Sequence, residues 1–150
     1  MRKLAMAALA GILVITGCSG PASVNAARQN VDIFHNHFNS GNFQAIWDNS
    51  APDITEAGPK EAFMQLLGNL RGFYGKAMAT EQTGWRFNEN TGGSFSSVVM
   101  KTTFEKGIAY EDFIFRNYGD QQKLAGYHIS KDPPKSSSSA SASPSASASQ

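Results

Sequence analysis

Three residues in the last third of the chain, Tyr110, Asp112 and His128, are of the types that move protons. Tyr110 and Asp112 stand two apart and so share one face of a strand, and His128 falls on the strand that follows. A carboxylate or imidazole desolvated in a pocket is brought near the working pH and acts as a general acid or base, with a tyrosine steadying developing charge. The same residues have a plainer reading. Glu111 and Asp112 pair with Lys101, Arg116 or Lys123 across a solvated sheet face, and His128, between Tyr127 and Ile129, sits at a rim. On that reading no residue is catalytic and the chain is not an enzyme. His35 and His37 lie two apart on a helix, about 200° round its circumference, so they do not grip one metal together. No glycine-rich phosphate loop follows a strand, since Thr91-Gly92-Gly93-Ser94 reads as a hairpin connection. No cofactor or metal is expected. Cys18 is the single cysteine, which excludes an intramolecular disulfide.

The surroundings of Cys18 are more informative than any of these. Arg2 and Lys3 precede an apolar run from Leu4 to Ile15, and Ile15-Thr16-Gly17-Cys18 closes it. A run of that length suits a signal-peptide core and is short of the ~20 residues that span a bilayer. The closing run resembles the lipobox of bacterial lipoproteins. That resemblance implies cleavage before Cys18, acyl chains such as palmitate on its thiol, and a protein held at a membrane. Each buried methylene contributes about 0.8 kcal/mol, so two or three chains anchor durably where one does not. Ser19, rather than an aspartate, follows the cysteine. By the same resemblance this favours the outer membrane, with the domain facing the periplasm.

Loss of residues 1–17 leaves 11 basic side chains against 12 acidic ones, a net charge of −1. With no basic stripe interleaved with aromatics, nucleic acid is not an expected partner. The chain divides into a signal peptide (1–17), a lipid-anchored tether (18–26), one domain (27–131) and a Ser/Ala-rich tail (132–150). The domain's roughly 105 residues suffice for a single core. The tail lacks the apolar residues to offset chain entropy and is expected to be disordered.

Val24, Ala27, Val31, Phe34 and Phe38 recur at helical spacing, and Gly41 follows as a left-handed stop. A short helix over 43–47 comes next. Phe63, Leu67, Leu70 and Tyr74 mark a further helix between Pro59 and Gly75. After Lys76 the period becomes two, with Trp85 and Phe87 on one strand and Val98, Met100, Thr102 and Phe104 on the next. Lys106-Gly107 turns into a third strand over 108–117, and Tyr118-Gly119-Asp120 into a fourth over 123–131. Short connections in succession predict an α+β fold, with N-terminal helices packed on an antiparallel four-stranded meander.

This order resembles the nuclear-transport-factor-2-like superfamily, in which helices pack into the concavity of a curved sheet. The local phrases that carry the likeness are Phe38-Asn-Ser-Gly-Asn-Phe43-Gln-Ala-Ile-Trp47, Thr103-Phe-Glu-Lys-Gly107 with Glu111-Asp-Phe-Ile-Phe115, and Gly126-Tyr-His-Ile129. The resemblance implies a cone whose interior either holds a small apolar ligand or is filled. Trp47, Tyr74 and Phe113 are the residues expected to line an open pocket.

The third strand is apolar on both faces, with Ile108, Tyr110 and Ile114 on one and Phe113 and Phe115 on the other. A sheet covered by helices on one side needs only one such face. The surplus points to a covering chain segment, a second copy of the chain as a homodimer, or another envelope protein. The expected role is a non-enzymatic binding or interaction module. The alternatives are a binder of a small apolar ligand and, more distantly, an isomerase-like or hydrolytic enzyme.

Overall fold

The computed structural model describes residues 19–134, so Cys18 and the segment 135–150 lie outside the described residues. Four helices precede four strands: α1 (Ser19–Ser40), α2 (Phe43–Asp48), α3 (Pro52–Thr55), α4 (Lys60–Tyr74), then β1 (Ala77–Asn90), β2 (Gly93–Phe104), β3 (Gly107–Tyr118) and β4 (Gln121–Ser130). The strands pair in chain order, each antiparallel to the last. The fold is therefore α+β, with the meander that the short connections predict.

The α1 stripe of Val24, Ala27, Val31, Phe34 and Phe38 is buried against the sheet. The helix starts earlier than its apolar period suggests, because residues 19–26, expected as a tether, form its first two turns. Pro21 falls in the first turn, where a missing N–H costs nothing. Tertiary contacts fix this turn: Gly20 stands beside the ring of Phe87, and the Gln122 side chain donates to the Ser23 carbonyl over 2.7 Å. At the other end, Asn39 exchanges two 2.8 Å hydrogen bonds with the backbone of Ala77, tying the end of α1 to the start of β1.

On β2, Val98, Met100, Thr102 and Phe104 are all buried, as their alternation predicts. The inward row of β3 is Ala109, Glu111, Phe113 and Phe115, and its outward row includes Ile108, Tyr110, Asp112 and Ile114. Gly75 ends α4 at φ 80°, with the Glu105 carboxylate accepting from the Lys76 N–H beside it. Asp53 on α3 and Arg116 on β3 form a two-pronged pair at 2.5 and 2.7 Å, which fastens the short helices to the sheet.

Candidate functional site

Two clusters of chemistry-bearing residues lie on opposite faces of the sheet. The first is inside. Glu111 shares the inward parity of Phe113 and Phe115, and is 1% exposed beneath α1. His35 Nε2 lies 2.9 Å from its Oε2, and the Thr102 hydroxyl donates to the same oxygen. The Tyr127 hydroxyl donates to Oε1 over 2.7 Å. Three side chains, from α1, β2 and β4, thus converge on one buried carboxyl group. Burial, and next the Glu111 charge, hold the Tyr127 phenol well above its ordinary value. The phenol therefore stays protonated and donating.

Sequence reasoning placed Glu111 on a solvated face opposite lysine or arginine. The structure corrects this: Glu111 faces inward and pairs with His35, while Arg116 pairs with Asp53. The signal was present in the two-residue spacing from Glu111 to Phe113 and Phe115. His35 likewise follows Phe34 on the buried edge of α1.

The interior around this cluster is packed. Phe113 is 0% exposed, with the rings of Phe34 and Tyr127 at 5.0 and 5.1 Å from its own. Tyr74 packs instead on Phe104, with ring centres 5.1 Å apart. Trp47 packs on Phe63 at 5.7 Å and borders a surface cavity that neither Tyr74 nor Phe113 lines. The three residues expected to line one open pocket are thus dispersed over three packing sites. Among the described residues, no group of three or more His, Cys, Asp and Glu side chains is arranged to hold a metal.

The second cluster is outside. Asp112 stands opposite His128 in the β3–β4 register, and both border a cavity of about 210 Å³ with Tyr110. A larger cavity of about 490 Å³ adjoins it towards β1, lined by Thr83 to Arg86, Ser97, Val99, Tyr110 and Asp112. The three proton-carrying residues singled out in the sequence are thus brought together, on the outer face of the sheet and not on the face that the helices cover. Asp112 Oδ1 is buried and has no hydrogen-bond partner among the described residues. Burial raises its carboxyl above the usual range, against the pull of Arg86 and then His128.

Pro133 and Pro134 line both cavities. Expected as the first residues of a disordered tail, they instead run back along the outer face of the sheet. Ile108 and Ile114, at 50% and 36% exposure, flank the groove on β3.

Compared with known proteins, the chain matches no family model, no curated protein and no solved structure. No described helix is long and apolar enough to cross a membrane.

Proposed function

We propose that this chain is a non-enzymatic interaction module, anchored through acylated Cys18 and working through the outer face of its sheet. The observation that carries the reading is the contrast between the two faces. The inner face is filled by Phe34, Phe38, Phe113 and Phe115, whereas the outer face keeps Ile108 and Ile114 exposed beside a groove. A cavity of about 490 Å³ falls within the ~300–1,000 Å³ range of ligand sites. An enzyme of the superfamily that the element order resembles would need its acid or base aimed into an open cone. Here Glu111 is capped by three donors and walled in by aromatic rings. The Ile15-Thr16-Gly17-Cys18 run supports anchoring at a bacterial envelope membrane, facing the periplasm.

A photo-crosslinking residue placed at Ile108 or Ile114 in the membrane-bound protein tests the working face, with Leu66 on α4 as an equally exposed control. Crosslinks to a second copy or to another envelope protein are expected from the two sheet positions and not from position 66. Equal yields from all three positions overturn the assignment of the face. For the anchor, Cys18→Ala should move the protein from the membrane pellet to the soluble fraction or leave it uncleaved.

A further inference from the structure

The crevice between the end of α1 and the start of β1 holds an imidazole that core packing engages on one nitrogen only. Asp32, His35, Asn36 and Asn39 follow at helical spacing on α1, and with the first four residues of β1 they line a cavity of about 290 Å³. His35 is the buried member of this lining, 7% exposed, and its Nε2 lies 2.9 Å from Glu111. Its Nδ1 has no hydrogen-bond partner among the described residues and is not one of their buried unpartnered atoms, so it meets solvent. The solvent-filled space that His35 borders is this cavity.

Glu111 sets how that nitrogen is presented. Thr102 and Tyr127 hold the carboxyl group in place from β2 and β4. With the carboxyl ionised, Nε2 carries the ring hydrogen and Nδ1 offers a lone pair to the cavity. Metal-binding imidazoles are oriented in this way, with the second nitrogen donating to a carboxylate.

A further donor atom comes from β1. The register with β2 shifts between Ala77 and Ala79, so Met78 is the extra residue of a bulge. Bulges re-aim side chains, and Met78 is 66% exposed on the lining of the same cavity, outside the core. Asp32 is exposed on that lining too, and makes no ion pair among the described residues. Its carboxylate gives the cavity the charge that suits a cation.

A thioether beside an imidazole is a soft pair of ligands, which favours Cu(I) over harder ions. Zn²⁺ asks for a fuller set of ligands. Among the described residues no third His, Cys, Asp or Glu side chain joins Asp32 and His35 to supply one. Cu(I) accepts low coordination, so the imidazole and the thioether suffice.

We propose that this crevice binds Cu(I) through His35 Nδ1 and Met78 Sδ, with the Asp32 carboxylate balancing the charge. Each ligand gives the ion a lone pair and displaces water, and no redox step is involved. The site lies on the helix-covered side of the sheet, so it goes beyond the outer-face reading and does not rest on it.

Titration of the full chain with Cu(I) under argon, in competition with the chelator bicinchoninate, tests the assignment. The chain carries Cys18→Ala, because a free thiol at that position would itself take the ion. One ion per chain is expected, with the NMR methyl signal of Met78 shifted and those of the other methionines unmoved. The His35 Nδ1 signal should move while Nε2 keeps its hydrogen, a change that a purely structural pair with Glu111 would not show. His35 is buried, so two exposed positions carry the mutational test. Met78→Leu should weaken Cu(I) binding by roughly 10–100-fold, the loss that even outer-shell changes cause at metal sites. Asp32→Asn should weaken it several-fold. Equal affinity in the Met78→Leu chain overturns the proposal, as does Cu(I) binding that leaves the His35 ring unmoved. Displacement of Cu(I) by an equal concentration of Zn²⁺ also overturns it, because a soft pair of ligands would resist that exchange. The photo-crosslinks from Ile108 and Ile114 do not depend on copper, so the interaction-module reading stands or falls separately.

Discussion

Replacing Glu111 tests whether the buried network holds α1 on the sheet. In Glu111→Leu the carboxylate disappears, and the donors of His35, Thr102 and Tyr127 lose their common acceptor. Each buried donor left unmade costs about 1–3 kcal/mol, so three cost roughly 3–9 kcal/mol. Two effects oppose this. The leucine removes the expense of burying a charge, and the Thr102 hydroxyl can rotate to another acceptor. The net expectation is a loss of about 3–5 kcal/mol, a large share of the ~5–15 kcal/mol that holds a domain together. Glu111→Gln refines the test. Its amide oxygen can serve His35 and Thr102, but its NH₂ then faces the Tyr127 hydroxyl, whose own proton is left without an acceptor. One orphaned donor predicts a loss of about 1–3 kcal/mol. Urea unfolding followed by tryptophan fluorescence measures both, and the midpoint should fall in the order wild type, Gln, Leu. A leucine variant as stable as wild type would refute the reasoning, because the three donors would then have found other acceptors at no cost.

Further expectations follow from the same geometry. The Tyr127 phenol is raised in the folded state, so its contribution is intact below the unfolded value of 10.0 and is lost as pH climbs above it towards the folded value. Stability of the unaltered chain should therefore decline over that alkaline range, and Tyr127→Phe should flatten the decline while losing about 1–2 kcal/mol at pH 7. The Asp112 carboxyl is also raised, so folding is favoured below 3.8 and loses that advantage as pH rises through the folded value. Asp112→Asn should remove this slope, leaving stability at pH 7 equal or higher by urea unfolding. At Gly75, φ is 80° and an added Cβ would meet the Glu105 carboxylate oxygen at 2.5 Å, so Gly75→Ala should lower the melting temperature by several degrees. Glu105→Ala in the same chain should recover little of that loss, since the Glu105 Cβ, 2.8 Å from the added one, remains and the Lys76 N–H loses its acceptor.

The hairpins were the most legible part of the sequence. Two-residue alternation on β2 and β3 and glycines at the turns leave little choice of pairing, and the register follows. The α4 boundaries were equally plain, between Pro59 and Gly75. The start of α1 was not, because Ser19 to Ser23 carry no apolar period and are held by Phe87 and Gln122 from far along the chain. Glu111 was misplaced for a related reason. A charge inside a sheet is stable only when distant donors meet it, and spacing within β3 does not reveal His35 or Tyr127. Strand parity grouped Tyr110 with Asp112, and the β3–β4 register sets His128 opposite Asp112. Which side of the sheet they occupy depends on where the helices pack, and the parity of Phe113 and Phe115 decides it.

The early start of α1 bears on how the domain would stand on a membrane if Cys18 is acylated as proposed. Ser19, the next residue, opens a helix of 22 residues, about 33 Å long, so a rod of that length would start at the bilayer surface. Its first turns lie beside Phe87 and Gln122, near the tips of the β1–β2 and β3–β4 hairpins, and its last turn meets Ala77 at the far end. Those two hairpin tips would rest nearest the lipid head groups, and the Glu105-Lys106 turn would point away from them. The sheet would then stand upright like a fin, its outer face directed sideways along the membrane plane. Encounters with neighbouring anchored proteins would occur in two dimensions and with the groove already facing them, which narrows the orientational search that slows docking from solution.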